Sequence, residues 1–208
     1  MQIHTHLPCS EEAYEQGQET TTVSLEDGLR PSGAAGLSPF AGVVVVSTMF
    51  GRVLRHLHRP DAEDADIKAN SEFWKRHRNM DNMLLSTALY LPPHLRLPVV
   101  SPNPNTIHLH MCLHASSISL HQVALSKAEK NQLSLDLIAE SSVRCFTAAA
   151  EITRIMRMIA HTNLEAVSLP SYLLPQGFYL IRSDAPFPTF LHLHCRSGIH
   201  PACQTPSK

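Results

Sequence analysis

The sequence predicts an all-α protein: an irregular helical domain of about five helices between two disordered tails. Three observations point there. Apolar residues recur at spacings of three and four through most of residues 37–182, the period of a helix face rather than of a strand. Fifteen prolines against eight glycines punctuate those stretches, which predicts stiff breaks between elements rather than flexible linkers. The hydrophobic fraction, 43% of 208 residues, suffices to bury a core and is too high for a wholly disordered chain.

Residues 1–36 hold six acids (Glu11, Glu12, Glu15, Glu19, Glu26, Asp27) against one base, Arg30. With the breakers Pro31-Ser32-Gly33 they read as a mobile acidic tail. In the first helix, Val43, Val46, Phe50, Leu54 and Leu57 share a face. The run Val43 to Val46 would also suit a strand, because β-branching favours one. Continuation through Met49, Val53 and Leu54 favours a buried helix that stops near Pro60. An acidic linker (Asp61, Glu63, Asp64, Asp66) leads to the second helix, which Asn70 or Ser71 can cap. Phe73, His77, Met80, Leu84 and Thr87 or Ala88 repeat along it, and Pro92 and Pro93 end it. Lys75, Arg76 and Arg78 lie in its early turns, where the helix dipole disfavours cations, so acidic partners are expected for them.

Five prolines between Leu91 and Asn105 predict an extended connector. A third helix from Thr106 to Lys127 aligns Ile107, Met111, His114, Ile118, His121 and Leu125. A fourth from Leu135 to His161 turns Ile138, Cys145, Ala148, Ile152, Ile155, Met156 and Ile159 inward, with Asn163 as its terminator. Leu173 to Arg182 reads as a short fifth helix. After Arg182 no periodic face survives, and residues 183–208 read as a Pro/His-rich tail.

Charge narrows the function. Lys+Arg 17 against Asp+Glu 18 gives a net charge of −1, so no global basic field draws nucleic acid unselectively. The 14 histidines make the real charge depend on pH. The five cysteines (Cys9, Cys112, Cys145, Cys195, Cys203) contain no C-x-x-C pair, and residues 1–10 lack the basic-then-apolar pattern of a secretory signal. Free thiols in a reducing, intracellular compartment are expected. The longest apolar stretch, Phe40 to Phe50, is about half the roughly 20 residues that span a bilayer, so no membrane partner is expected.

Three clusters carry candidate chemistry. His108, His110, His114 and His121 lie on one helix, and His110 and His114 are four apart, as in zinc-binding helices. A zinc-protease pattern needs Glu directly after the first His, where Met111 stands, and no third ligand is evident; packed imidazoles are the simpler reading. The tail gathers His192, His194, Cys195, His200 and Cys203, ligand types that suit zinc at a spacing that fits no structural zinc pattern. The bases Arg52, Arg55, His56, His58 and Arg59 read as the solvated side of the first helix before they read as a phosphate-contacting surface. No nucleophile elbow, phosphate-binding loop or dinucleotide fingerprint is present, so no catalytic residues are assigned and the chain is not expected to be an enzyme.

Longer motifs are more specific. The run Phe73-Trp74-Lys75-Arg76-His77-Arg78-Asn79-Met80-Asp81-Asn82 resembles the FW-x-RHR-x-x-DN segment of fungal zinc-cluster transcription factors, in their middle homology region, the fungal-specific transcription factor domain. Leu91-Pro92-Pro93-His94-Leu95-Arg96-Leu97-Pro98 resembles that family's LP-x-x-x-RLP, and Leu113-His114-Ala115-Ser116 with Leu120-His121 resembles its LHAS-x-x-x-LH helix. Pro39-Phe40-Ala41-Gly42-Val43, His58-Arg59-Pro60 and Ala148-Ala149-Ala150-Glu151-Ile152 are similar to further family segments, so the resemblance runs from Ser38 to Arg182.

The resemblance implies an all-helical regulatory domain of a nuclear transcription regulator, acting through protein partners or a small effector, with a homodimer as a further option. In the family, DNA is read by a separate six-cysteine cluster that binds two zinc ions. Relative to that pattern the chain reads as truncated and without the zinc module, so zinc and DNA contact are implied only for a module missing here, and no cofactor is expected in this chain. Trp74, Arg76, His77, Arg78, Asp81, His114 and His121 are the candidate effector or structural-seam residues, with Arg78 and Asp81 expected to pair. The alternatives are a metal-binding protein using the histidine helix or the tail, and a truncated fragment without function.

Overall fold

Serine and asparagine side chains start most of the helices. Ser10, Ser24, Ser38 and Asn103 each accept a bond from a backbone N–H in the following turn, at 2.8–3.2 Å, and Pro39 and Pro104 occupy first-turn positions where a missing N–H costs nothing. The computed structural model describes residues 5–59, 71–98 and 103–160. Among them are six α-helices: α1 (Glu11–Glu15), α2 (Leu25–Gly28), α3 (Pro39–Leu57), α4 (Glu72–Tyr90), α5 (Pro104–Lys130) and α6 (Leu135–Ala160). Short 3-10 turns lie at Pro31–Gly36 and Pro93–Leu95. The fold is all-α, as the periodicity predicts; the only extended pairing among the described residues is an isolated bridge between His6 and Ser24.

α5 is the axis of the packing. It contacts α3, α4 and α6, and its buried residues Leu109, Cys112, Leu113 and Leu120 join Val45, Val46, Met49 and Val53 of α3 and Leu84 of α4 in the main core. A second cluster sets Phe73 and Trp74 of α4 against Ala124 and Ala128 of α5. A third joins Ile107 to Ile155 and Ile159 of α6. Leu95, fully buried, plugs the connector into the core. Its neighbour Arg96 donates to the Leu91 carbonyl at 2.7 Å, and the His94 ring bonds the Leu37 carbonyl at 3.0 Å.

Several expectations change. Residues 5–36 are not a mobile tail. Leu7, Ala34 and Leu37 enter the main core, and Ser38 donates back to the Pro8 carbonyl at 2.9 Å. Composition misleads here because the acids sit on the outer surfaces of α1 and α2 while a few apolar residues do the packing. The buried stripe of α3 is Gly42, Val45, Val46, Met49, Val53 and His56. Of the predicted face only Val46 is fully buried, because a helix apolar on most sides takes its phase from its neighbours. Met156 is 39% exposed rather than inward. Ser71 occupies the N-cap position of α4, yet its hydroxyl makes no capping bond. α3 is long and apolar enough by composition to cross a membrane, more so than the Phe40–Phe50 run suggested; its apolar stripe packs into the core. The acidic linker at 61–66, the helix stop at Pro60, the predicted helix at 173–182 with Asn163 before it, and the tail at 183–208 lie outside the described residues.

α3 and α5 approach closely at Gly42, where an added Cβ would meet Leu109 Cδ1 at 2.4 Å and Leu95 Cδ1 at 3.5 Å. Both leucines are fully buried and have nowhere to move. Gly42→Ala is expected to destabilise the fold by about 1–3 kcal/mol through overpacking, despite alanine's better helix propensity. Urea denaturation of the variant checks this; an unchanged or raised midpoint would contradict the close packing.

Candidate functional site

On α4, Trp74, His77 and Asp81 follow one another at three and four residues and so share a face. The structure continues that face into a seam fed by all four long helices. From α3, His56 stacks on Phe73, ring centroids 4.6 Å apart. Phe73 meets Trp74 edge-on at 5.1 Å, and Trp74 meets His77 edge-on at 5.6 Å. His77 in turn stands edge-on to His121 of α5 at 4.9 Å. Lys127 holds its ammonium 4.2 Å from the Phe73 ring centroid, within reach of the negative ring face.

The seam ends in an ionic clasp. His121 donates from Nε2 to Asp81 Oδ1 at 3.1 Å, and Arg144 of α6 donates to Asp81 Oδ2 at 3.4 Å. Asp81 thus ties α4 to α5 and α6 together. Burial works against its ionisation, but the hydrogen bond from His121, followed by the charges of His121 and Arg144, more than offsets it and holds the carboxyl below its ordinary value. His77 is the opposite case. Burial first, then the neighbouring His121, pushes its imidazole down to about 3, so it is neutral at physiological pH. The Nδ1 atoms of His77 and His121 have no hydrogen-bond partner, so no acceptor waits there for an added proton.

Beside the clasp lies a cleft of about 120 Å³ where α4, α5 and α6 meet. Asp81, His114, Ser117 and Arg144 supply its polar lining, and Leu84, Leu85, Leu113 and Ala148 belong to its apolar lining. His114 stacks loosely on His110 at 6.3 Å, and burial and then His110 lower its imidazole to about 4. His110 is pinned to the Leu95 carbonyl at 2.8 Å.

Of the seven candidate residues, Trp74, His77, Asp81 and His121 meet in the seam, and His114 joins Asp81 in the cleft. Arg76 is half-buried and Arg78 exposed on the flanks of α4. They act on Glu72 and His77 respectively, while Asp81 is held across helices by His121 and Arg144. His56, read as one of a solvated cluster, is 4% exposed and belongs to the seam; Arg55, His58 and Arg59 do face solvent. Its membership was readable only from the true phase of α3. Arg144 lies 63 residues from Asp81, and no local signal marks it. Among the described residues no group of three or more His, Cys, Asp or Glu side chains is placed to hold a metal ion. The ligands His192, His194, Cys195, His200 and Cys203 lie outside the described residues.

Comparison with known proteins bears on the class of protein that carries this seam and cleft. Two curated fungal proteins match. A pigment biosynthesis transcriptional activator from Monascus ruber is 23% identical over 190 residues, 89% of this chain and 34% of that protein. A transcription factor from Aspergillus terreus is 24% identical over 164 residues, 78% of this chain and 26% of that protein. The chain spans about a third and a quarter of these relatives. They are distant, and they support a fungal transcription factor family and a role in regulating transcription; their names denote regulators and not enzymes. No family model matches the chain, and no solved structure does.

Two measurements follow. In a double-mutant cycle, Asp81→Asn and His121→Ala are expected to couple by about 1 kcal/mol or more; strictly additive effects would contradict the clasp. The depressed imidazoles also fix a pH dependence. Because His77 and His114 titrate in the folded state near 3 and 4, the unfolded chain binds more protons once the pH falls below about 6.5. Stability is therefore full above that pH and falls on acidification by roughly 1.4 kcal/mol per pH unit per imidazole, until the folded values are reached. Denaturation between pH 7 and 5 should show this, with a smaller slope in His77→Phe; an equal slope would mean that His77 is not the buried neutral group.

Proposed function

We propose that this chain is a helical regulatory module of a fungal transcription factor, similar to the middle homology region of zinc-cluster regulators, and that it works in the nucleus by docking a protein partner at the α4–α6 cleft. The carrying observation is the cleft beside Asp81. A site of about 120 Å³ is small beside the roughly 300–1,000 Å³ of drug-sized ligand pockets, which favours one apolar side chain of a partner over a sizeable effector. Its lining on α4 includes Leu85, 40% exposed, and Ala88, and Leu89, 68% exposed, follows on the same helix, the three-and-four spacing at which a partner helix finds purchase.

Asp81 links this cleft to the seam, so an occupant that draws on Arg144 or Asp81 changes how tightly α6 is held to α4. That gives binding a route to the packing of three helices. The role needs no zinc and no DNA contact by these helices themselves.

The test tethers the chain to a heterologous DNA-binding domain in a fungal reporter strain. Wild type is expected to shift reporter output several-fold, and Leu85→Glu with Leu89→Glu to abolish the shift while circular dichroism and the melting curve stay within error. An output equal to that of the DNA-binding domain alone, or one indifferent to the two substitutions, would refute the reading.

A further inference from the structure

A second, chemically different cavity lies beside α1. It measures about 640 Å³ and is lined by residues including Cys9, Glu11, Tyr14, Glu15, Phe40 and Asn105, none of which lines the α4–α6 cleft. Two of its walls are large aromatic side chains left in water: Tyr14 is 80% exposed and Phe40 48% exposed. Two more are carboxylates. Glu11 accepts from Asn105 Nδ2 at 3.0 Å, which fixes α1 to the start of α5 and holds that acid in place. Glu15 has no hydrogen-bond or ion-pair partner among the described residues. It also lies in the last turn of α1, which carries no base, so neither a cation nor the helix dipole stabilises its charge.

Exposed ring faces beside an unmatched carboxylate complement one chemistry: a cation on an apolar stem. An anionic segment would be repelled, since residues 1–36 hold six acids against Arg30, and a purely apolar one would leave Glu15 unmatched. The volume lies within the range of ligand sites and exceeds a single side chain. We propose that this cavity docks a basic peptide segment of a partner protein, a Lys or Arg head group meeting Glu15 and Glu11 while its stem or guanidinium plane lies on Tyr14 and Phe40. This site is independent of the α4–α6 cleft and stands if the function proposed for that cleft fails.

The test uses the full chain and a fluorescently labelled hexalysine peptide, with hexaglutamate as control, read by anisotropy at about 50 and 150 mM salt. Cys9 reports the location. It lines the cavity, whereas Cys112 and Cys145 are buried with thiols pushed up to about 11 and about 12, so mass spectrometry of the Cys9 iodoacetamide adduct follows this wall alone. Saturable hexalysine binding is expected, with Tyr14→Ala plus Glu15→Gln weakening it about ten-fold. Glu26→Gln, an equal charge change away from the cavity, is expected to stay within about two-fold. Bound peptide should slow alkylation of Cys9. Absent binding, equal weakening by Glu26→Gln, or unchanged Cys9 alkylation at saturating peptide would each overturn the site.

Discussion

The fold depends on α5 being covered from several sides at once. Ile107, Leu109, Cys112, Leu120 and His121 are all at most 3% exposed, and they do not share a single stripe. A helix buried around much of its circumference cannot simply lie on a surface, so other elements must be assembled around it. α3, α4 and α6 supply that cover, and the Leu91–Pro98 connector closes it by seating Leu95. The N-terminal segment then caps α3 through Leu7 and Leu37.

Assembly around one helix brings polar groups inside with it. His56, His77 and His121 are each at most 6% exposed. His77, kept neutral by its burial, spends its ring area on stacked and edge-to-face contacts with Phe73, Trp74 and His121. The charge of Asp81 is admitted because His121 and Arg144 both donate to it. The seam is thus apolar along most of its length and ionic at the end where three helices and the cleft meet. A group that must stay neutral beside one that must stay charged makes this region more sensitive to pH and to ligands than an aliphatic core would be.

The α4–α6 cleft and the cavity beside α1 differ in chemistry. The α4–α6 cleft is small, with mostly apolar walls and with Asp81 already held by His121 and Arg144, so the partner proposed for it would be selected by shape. The cavity beside α1 is larger and acidic, with exposed rings and an unmatched carboxylate, so the segment proposed for it would be selected by charge. If both proposed sites are used, that difference would keep their partners apart, since specificity is a difference of affinities.

Helix identity was legible wherever apolar spacing and punctuation agreed. α4 is the clearest case: Phe73, His77, Leu84 and Thr87 all lie on its buried face, and the motif residues Trp74, His77, Asp81 and His121 converge as a polar and aromatic seam. Phase was not legible for α3, where valines and other apolar residues occupy most of the circumference and the sequence offers several equivalent stripes. Nor was the fate of residues 5–36, since a few core contacts outweigh an acidic composition that only describes their outer surface. By itself the sequence determined the helical class, the four long helices and the type of chemistry buried on α4 and α5, because those follow from local period and side-chain character. Which imidazole lies inside, and which cation clasps Asp81, was decided by the tertiary structure, because His56 and Arg144 reach the seam only through the packing of α3 and α6 around α5.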